Sequence, residues 1–518
     1  MEKDVILTID CGTQSLRALL FALDGDLLTK AQVAYLPYVS PRPGWAEQDP
    51  EVYWQSLCRA CAELKRKAAG IFARIAGVGV TAQRNSMINI DQAGGCLRPA
   101  IIWLDQRKAV PSLASHGLLR KMLKCFRMDG VLSGLQAEGK CNWIRQQQPR
   151  LWQSTHKYLQ VSGFLNYRLT GRFADSVASQ IGHLPFNYRK MRWARRPELS
   201  ALLFPVEREK LPELVMPGEP LGSITARAAA QTGIPAGLPV IACGSDKGCE
   251  TLGSGIIDQR AVSLSFGTTA TIQTTARTYF EPIRFMPPYP AALPGFYNPE
   301  VEIFRGYWMI TWYKNEFAHK EVQEARSNGM AAEEILNRLL AQAPPGAMGL
   351  VVQPYWGAGP KTPWAKGAMI GFGDVHTRAH VYRAVIEGLG FALFEGLHKI
   401  EKAGGIKAES AAVSGGASQS DEICKITADI FNLPMVKGRT HETSGLGAAI
   451  VTAVGLGCHP SFEAAVKRMV QVQKVFEPDP QHVALYRQLY HRVYQKIFNA
   501  LSPLYAEIQE ITGYPEPG

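Results

Sequence analysis

The sequence predicts an α/β fold made of two duplicated domains facing each other across a catalytic cleft. At 518 residues the chain exceeds what one hydrophobic core accommodates, so at least two domains are expected. It opens with three strands and a helix, followed by further strands and helices, the order of a mixed α/β sheet. A strand–Gly-Thr–strand unit around Gly12-Thr13 returns roughly 255 residues later at Gly267-Thr268, which indicates one domain in each half.

The elements follow from local patterning. Val5 to Ile9 and Arg17 to Leu23 are apolar and flank the turn Asp10-Cys-Gly-Thr13. Asp24-Gly25 has hairpin chemistry and leads into a third strand from Leu27 to Tyr35. Asp49-Pro50 supplies a cap and a first turn for a helix from Pro50 to Ala69. Strands are expected at Ile75 to Thr81, Met87 to Ile90 and Ala100 to Trp103. In the second half the expected strands are Leu238 to Cys243, Ala261 to Phe266 and Ala270 to Ala276. Helical periodicity covers Ala379 to Glu401, Asp421 to Phe431, Leu446 to Val454 and a last helix from Val483 to Ile511. The Pro- and aromatic-rich Phe280 to Pro299 reads as an irregular loop. The boundary falls near 253–257, giving domains 1–254 and 255–518.

Composition narrows the function classes. Hydrophobic residues at 46% and charged residues at 19% are an ordinary globular balance. No apolar run reaches the ~18 residues that span a bilayer, and Met1-Glu-Lys-Asp lacks the features of a signal peptide, so a cytoplasmic protein is expected. Ten cysteines in this length do not make a disulfide scaffold, and Cys58-x-x-Cys61 puts both thiols on one helix face without a partner pair for a metal. The net charge of +11 is spread over Lys65 to Lys67, Lys121 to Arg127 and Arg189 to Arg196. These read as solvated faces rather than a nucleic-acid surface.

Four motifs carry chemistry. In Asp10-Cys-Gly-Thr-Gln-Ser15 the glycine lets backbone amides approach a phosphate, and the carboxylate at the strand end can hold Mg²⁺ through water. Alone the signal is weak, and a plain hairpin with a solvated aspartate accounts for it more readily. The second turn, Ser265-Phe-Gly-Thr-Thr269, changes the balance, because two such turns facing each other can grip a triphosphate from both sides. Ser414-Gly-Gly-Ala-Ser418, between a strand and a helix, lets a flat ligand lie against the backbone, although two tight connections would look the same. Asp246 in Gly244-Ser-Asp-Lys247 ends a strand, as a base toward a substrate hydroxyl or as a helix cap. Gln83-Arg84 and Trp103-x-Asp105-x-Arg107 offer donors and acceptors suited to a polyol, with ion pairing as the other use of Asp105 and Arg107.

In this order the motifs resemble the FGGY family of carbohydrate kinases, within the actin-like ATPase superfamily, from about residue 4 to about residue 490. Asp10-Cys-Gly-Thr13 and Ser265-Phe-Gly-Thr-Thr269 resemble the family's two phosphate motifs, and Ser414-Gly-Gly-Ala417 its adenosine motif. Gly44 to Pro50, Leu169-Thr-Gly171 and Gly367-x-Met-x-Gly371 with His380 and Glu387 are also similar to family patterns. Departures stand at Asn85, Lys247, Ser420 and Phe372, and Glu138 to Trp143 follows another family signature only in part.

The resemblance implies two actin-like (ribonuclease H-like) ATPase domains, ATP and Mg²⁺, and a small sugar or polyol as substrate. Asp246 becomes the catalytic base, with Asp10 (through water) and Asp246 at the metal. Gly12, Thr13, Gln14, Ser15, Gly267, Thr268, Thr269, Gly415, Gly416, Ala417 and Ser420 become nucleotide contacts. Gln83, Arg84, Trp103, Asp105, Asp246 and Lys247 become substrate contacts. No nucleic acid or membrane partner is expected, and a homodimer is left open. The alternatives are a degenerate kinase kept as a sugar- and ATP-responsive regulator, and an actin-like ATPase without a sugar substrate. Which sugar is used is not legible.

Overall fold

The computed structural model describes residues 3–112, 129–356 and 364–514; the basic cluster 121–127 lies outside them. Two six-stranded mixed sheets organise the molecule. In the first, β1 (Val5–Cys11), β2 (Ser15–Ala22) and β3 (Leu27–Ala34) form an antiparallel meander. Next to β1 lies β4 (Ile75–Ala82), in parallel. At the far edge β5 (Pro220–Ser223) runs antiparallel to β6 (Pro239–Ser245), which pairs in parallel with β4.

The second sheet repeats the plan. The meander is β7 (Ala261–Phe266), β8 (Ala270–Gln273) and β9 (Glu300–Ile303). Parallel to β7 follow β10 (Ser410–Ser414) and β11 (Met435–Gly438), with β12 (Val472–Phe476) antiparallel at the edge. The spatial orders, β3-β2-β1-β4-β6-β5 and β9-β8-β7-β10-β11-β12, differ only in whether the edge strand precedes or follows its neighbour in the chain. Each half is therefore a copy of one fold, built on the repeated strand–turn–strand unit.

Both faces of β1 are buried, which its uninterrupted apolar run requires. Val5, Leu7 and Ile9 meet helix α1 (Pro50–Lys67), whose Tyr53, Leu57, Ala60, Cys61 and Leu64 recur at helical spacing. Asp49 caps α1 by accepting from the Glu51 amide, and Lys65, Arg66 and Lys67 sit at its negative end. Cys61 is wholly buried and Cys58 half-buried; both are free thiols.

The other face of β1 is covered from the second half. Leu446, Ala449 and Ile450 of helix α5 (Thr443–Gly455) share one core with Ile6, Leu19, Phe21 and Ile241 of the first sheet. Helix α2 (Asp246–Gly253), which follows β6, crosses α5 backbone to backbone. A Cβ on Gly253 would stand 2.0 Å from the Thr443 carbonyl oxygen, and one on Gly447 would stand 1.8 Å from that of Cys249. Only glycine permits this approach. The second sheet has its own core, in which helix α3 (Arg378–Gly404) packs against β7 to β10 and against helix α4 (Asp421–Phe431).

Three expected elements differ. The strand from Ala270 ends at Gln273, and the segment 280–299 contains a short pair, Tyr289–Pro290 with Tyr297–Asn298. The last helix is interrupted: Pro480–Leu489 and Gln495–Thr512 are joined by a π turn, Tyr490–Tyr494. The wider turn keeps Tyr490 and Tyr494 both buried beside Phe391.

Candidate active site

Open α/β sheets place functional residues where parallel strands end at their carboxyl sides, and both sheets do so here. In the first, Asp10 lies near the end of β1, Gln83 and Arg84 follow β4, and Asp246 follows β6. In the second, Gly267 follows β7 and Gly415 follows β10. The two sets meet.

Asp10 is buried, and the register of the β1–β2 hairpin places it directly opposite Arg17. Their ion pair measures 2.7 Å. Arg17 also reaches Glu442, just before α5, at 2.6 Å, and Lys30 pairs with the same carboxylate at 2.7 Å. Burial pushes the Asp10 carboxyl up to about 6 against the pull of Arg17, with the charges of Asp246, Glu442 and Glu250 adding to the rise. Asp10 and Asp246 thus share one electrostatic neighbourhood.

The turn after β1 is closed by Gly12 N–H donating to the Ser15 carbonyl at 3.0 Å. Thr13 sits within a polar web: its hydroxyl donates to Gln83 Oε1 at 3.2 Å and accepts from Trp103 Nε1 at 2.9 Å. Gln48 supports the Thr13 carbonyl at 3.1 Å and is itself held by Tyr53 at 2.5 Å. Gln14 is exposed, and Ser15 accepts from Gln32 at 3.1 Å.

Asp246 is the first residue of α2, while its neighbour Ser245 serves as the cap. Arg84 Nε stands 3.9 Å from the Asp246 carboxylate, and the two terminal guanidinium nitrogens donate to Glu300 of β9 at 3.1 Å each. The Tyr289 ring lies under the guanidinium at 5.2 Å. Burial raises the Asp246 carboxyl above the ordinary range, opposed by Arg84 and Lys247.

Glu250, one turn further along α2, ties three motifs together. It accepts from Lys247 Nζ at 2.7 Å, from Ser265 Oγ at 2.8 Å and from Ser414 Oγ at 2.6 Å. Ser265 opens the second Gly-Thr motif and Ser414 the glycine pair, so one carboxylate fixes both relative to Asp246. Lys247 Nζ also donates to Ser265 at 2.6 Å. The Gly267 and Thr268 carbonyls are anchored by the amides of Tyr307 at 3.0 Å and Trp308 at 3.3 Å. Thr268 is exposed, and Thr269 donates to the Phe304 carbonyl at 3.3 Å. Gly415 adopts φ +84° and presses on the Phe266–Gly267 backbone, whereas a Cβ on Gly416 would meet open space. Ala417 lies beside them in the turn Gly416–Gln419, and Ser420 Oγ caps α4 by accepting from the Ile423 amide at 3.3 Å.

The structure thus gathers Asp10, the 12–15 turn, Gln83, Arg84, Trp103, Asp246, Lys247 and the 267–269 turn. Asp105 does not join them. Both of its oxygens are taken by Arg107 at 2.7 Å each, with the Ala46 amide at 2.6 Å, in a buried pair rather than a surface one. The ammonium of Lys247 is likewise committed to Glu250 and Ser265. Sequence reasoning passed over Arg17, Glu250, Glu300 and Glu302. Two of these carried a signal: hairpin register puts Arg17 across from Asp10, and Glu250 is one helical turn from Asp246.

For a divalent cation the donor set is sparse: among the described residues no group of three or more His, Cys, Asp or Glu side chains could hold one. Asp10 Oδ2 is buried without a hydrogen bond, its one partner being the Arg17 charge. This fits a nucleotide-borne metal that takes water and phosphate oxygens as its other ligands.

Two copies of one α/β unit, each presenting a Gly-Thr turn to a shared site, define an actin-like ATPase architecture. The N-terminal and C-terminal domain models of the FGGY family of carbohydrate kinases match residues 5–253 and 262–456. An uncharacterized sugar kinase, YgcE, of Escherichia coli (strain K12) is 30% identical over 92% of this chain and 90% of its own length. Xylulose kinase of Bacillus subtilis (strain 168) is 27% identical over 95% and 96%. The crystal structure of xylulose kinase from Rhodospirillum rubrum superposes with a TM-score of 0.80, at 26% identity, over 97% of this chain and all of the other. The chain belongs to the FGGY family of carbohydrate kinases. It is an enzyme, a sugar kinase, and among the described residues no helix is long and apolar enough to cross a membrane.

Proposed function

We propose that this kinase transfers the γ-phosphoryl group of ATP to a hydroxyl of a small ketose or polyol, with Asp246 as general base. The observation that carries the reading is the position of Asp246 on α2. Arg84 of the sugar side flanks it at 3.9 Å, and Glu250 on the same helix holds both motifs of the nucleotide side.

Phosphoryl transfer asks the protein mainly to align attacking and leaving oxygens and to balance charge. Asp246 accepts the proton of the attacked hydroxyl, and burial that raises its carboxyl makes it a stronger base. Arg84, Gln83 and Trp103 orient the polyol. The backbone amides of the turns 12–15 and 267–269, with Thr13 and Thr268, bind phosphate oxygens, while Gly415, Gly416 and Ala417 leave a flat floor for adenosine. Asp10, through water, and Asp246 would hold Mg²⁺, which would supply neutralisation of the phosphate charge. Residues 1–254 carry the sugar and 255–518 the adenine. Approach of the two halves excludes water, and so limits ATP hydrolysis.

The test is ADP release by the purified chain across polyols, pentuloses and hexuloses, with ATP and Mg²⁺. At least one should stimulate release well above the sugar-free rate. Tight ATP binding with no stimulation by any of them would transfer the reading to a sugar-responsive binding protein.

A further inference from the structure

A phosphoryl group that travels from the 267–269 turn to a hydroxyl beside Asp246 passes one cation set between those two ends. Lys247 follows Asp246 on α2, and its amide donates to the Asp246 carboxylate at 2.8 Å. Its side chain turns away from the sugar side. Arg84 approaches Asp246 from the end of β4, whereas the Lys247 ammonium crosses to β7 and donates to Ser265 Oγ at 2.6 Å. Ser265 and Gly267 lie on the same face, and a Cβ on Gly267 would stand 3.8 Å from that hydroxyl. The ammonium and the bare face of Gly267 therefore share one neighbour.

The ammonium is fixed in place. Glu250 Oε2 accepts from it at 2.7 Å, while Glu250 Oε1 accepts from Ser265 Oγ at 2.8 Å and from Ser414 Oγ at 2.6 Å. Both carboxylate oxygens are thus taken, and the ring of Lys247, Ser265 and Glu250 closes on itself. An ammonium has three N–H donors, and this ring uses two of them. Among the described residues no acceptor takes the third. Glu250 and Ser265 are buried, yet the Lys247 side chain stays 20% exposed. The third donor is therefore turned from the buried pair toward the cleft.

The geometry points to Lys247 as a catalytic residue that donates this third hydrogen bond to a non-bridging oxygen of the γ-phosphoryl group in transit, with Glu250 as the positioning residue that aims it. The inference rests on the sugar-kinase reading of the site, and it moves Lys247 from the sugar's contacts to those of the phosphoryl group. In the transfer, the acceptor oxygen bonds to the γ-phosphorus as the bond to the β,γ-bridging oxygen breaks. Asp246 takes the hydroxyl proton, and ADP leaves with the electron pair of the broken bond. Lys247 keeps its proton throughout. A donor fixed beforehand where charge passes costs no reorganisation when that charge arrives.

The experiment compares the full-length enzyme with Lys247→Met, which keeps the reach of the side chain and removes its charge. The kcat of sugar-dependent ADP release should fall about 100-fold, the scale of one lost oxyanion donor, with KM for the sugar within about threefold of wild type. Lys247→Arg, which keeps the charge, should recover about tenfold of that loss. Calorimetry without sugar gives a second readout. With Mg²⁺, the ADP–aluminium fluoride complex, a mimic of the group in transit, should bind wild type at least about tenfold more tightly than ADP. Lys247→Met should erase that margin and leave ADP affinity as it was. Glu250→Gln, which still offers the serines an acceptor but releases the ammonium, should shrink the margin with ADP affinity again retained. If Lys247→Met does not fold, Lys247→Met/Glu250→Gln, which leaves neither charge unpaired, takes the same two readouts. A raised sugar KM with kcat and margin intact returns Lys247 to the sugar and overturns the proposal. A margin absent from wild type, or unmoved by Lys247→Met, overturns it too. If no sugar stimulates ADP release while the margin still depends on Lys247, the sugar-kinase reading fails and the phosphoryl contact stands.

Discussion

Arg84, from the end of β4, donates two parallel hydrogen bonds of 3.1 Å to Glu300, on the edge strand of the opposite sheet. Paired guanidinium and carboxylate groups in this geometry are held firmly, and breaking one partner leaves the other buried and uncompensated. Arg84 is thus both a proposed sugar ligand and a link between the halves. Arg84→Ala should lower kcat/KM for the sugar by at least tenfold while equilibrium ATP affinity without sugar stays near wild type. Gly416→Val should do the reverse, because its side chain enters the open space beside the Gly415 turn. Calorimetry decides. Loss of ATP affinity in Arg84→Ala with none in Gly416→Val would mean that the two sides of the cleft are reversed.

Asp246→Asn keeps the size of the side chain and removes its ability to take a proton. A general base contributes about 10² to 10⁴ in rate, so kcat should fall by that range while ATP affinity is retained. A variant holding more than about a tenth of wild-type kcat would assign Asp246 to positioning alone.

Much of this site was legible in the sequence, for a definite reason. Gly12-Thr13, Gly267-Thr268 and Gly415-Gly416 each punctuate an apolar strand, and a strand end beside a glycine is where a cleft residue must lie. What the sequence hid was pairing between distant segments. Glu300-Val-Glu302 follows a Pro- and aromatic-rich loop and spans a short edge strand, so nothing local sets Glu300 against Arg84. Asp105 left two uses open. Its residue type suited a polyol, but Arg107, two residues on, and the Ala46 amide consume both oxygens. Residue type states what a side chain can bond, and only packing states what has already bonded it.

Asp10 makes no hydrogen bond through its buried Oδ2 and is balanced there by the Arg17 charge alone. Asp10→Ala should therefore raise the Mg²⁺ concentration for half activity and lower kcat, since the nucleotide's metal loses its positioning carboxylate. The check is a Mg²⁺ titration at saturating ATP and sugar. An unchanged midpoint would return Asp10 to a structural role in the hairpin.

The crossing of α2 and α5 offers a stability test remote from the chemistry. Gly447→Ala adds one methyl group, which would stand 1.8 Å from the Cys249 carbonyl oxygen, so backbone must move. Overpacking of this kind costs about 1–3 kcal/mol, and here it also displaces the helix that begins with Asp246. Lower Tm together with lower kcat is expected. Gly457→Ala, where a Cβ meets open space but φ is +74°, should lower Tm through backbone strain and leave kcat nearly unchanged. Equal kcat in the two variants would separate the crossing from catalysis.

The acid limb of the pH–rate profile follows from the charges around Asp246. Its carboxyl must be ionised to accept a proton, so activity is lost as pH falls through its pKa. Burial raises that pKa above the ordinary aspartate value, and Arg84 and Lys247 pull it back. The limb of kcat/KM for the sugar should accordingly lie above pH ~4. Arg84→Gln removes one of the cations that lower it, so the limb should move to higher pH even though overall activity drops. Asp10, pushed up to about 6 without metal, contributes to the same limb. Mg²⁺, proposed to lie beside both carboxylates, favours the ionised form of each, so the limb should move to lower pH between low and saturating Mg²⁺. A limb that moves to lower pH in Arg84→Gln would show that the ionising group is not the carboxylate beside Arg84.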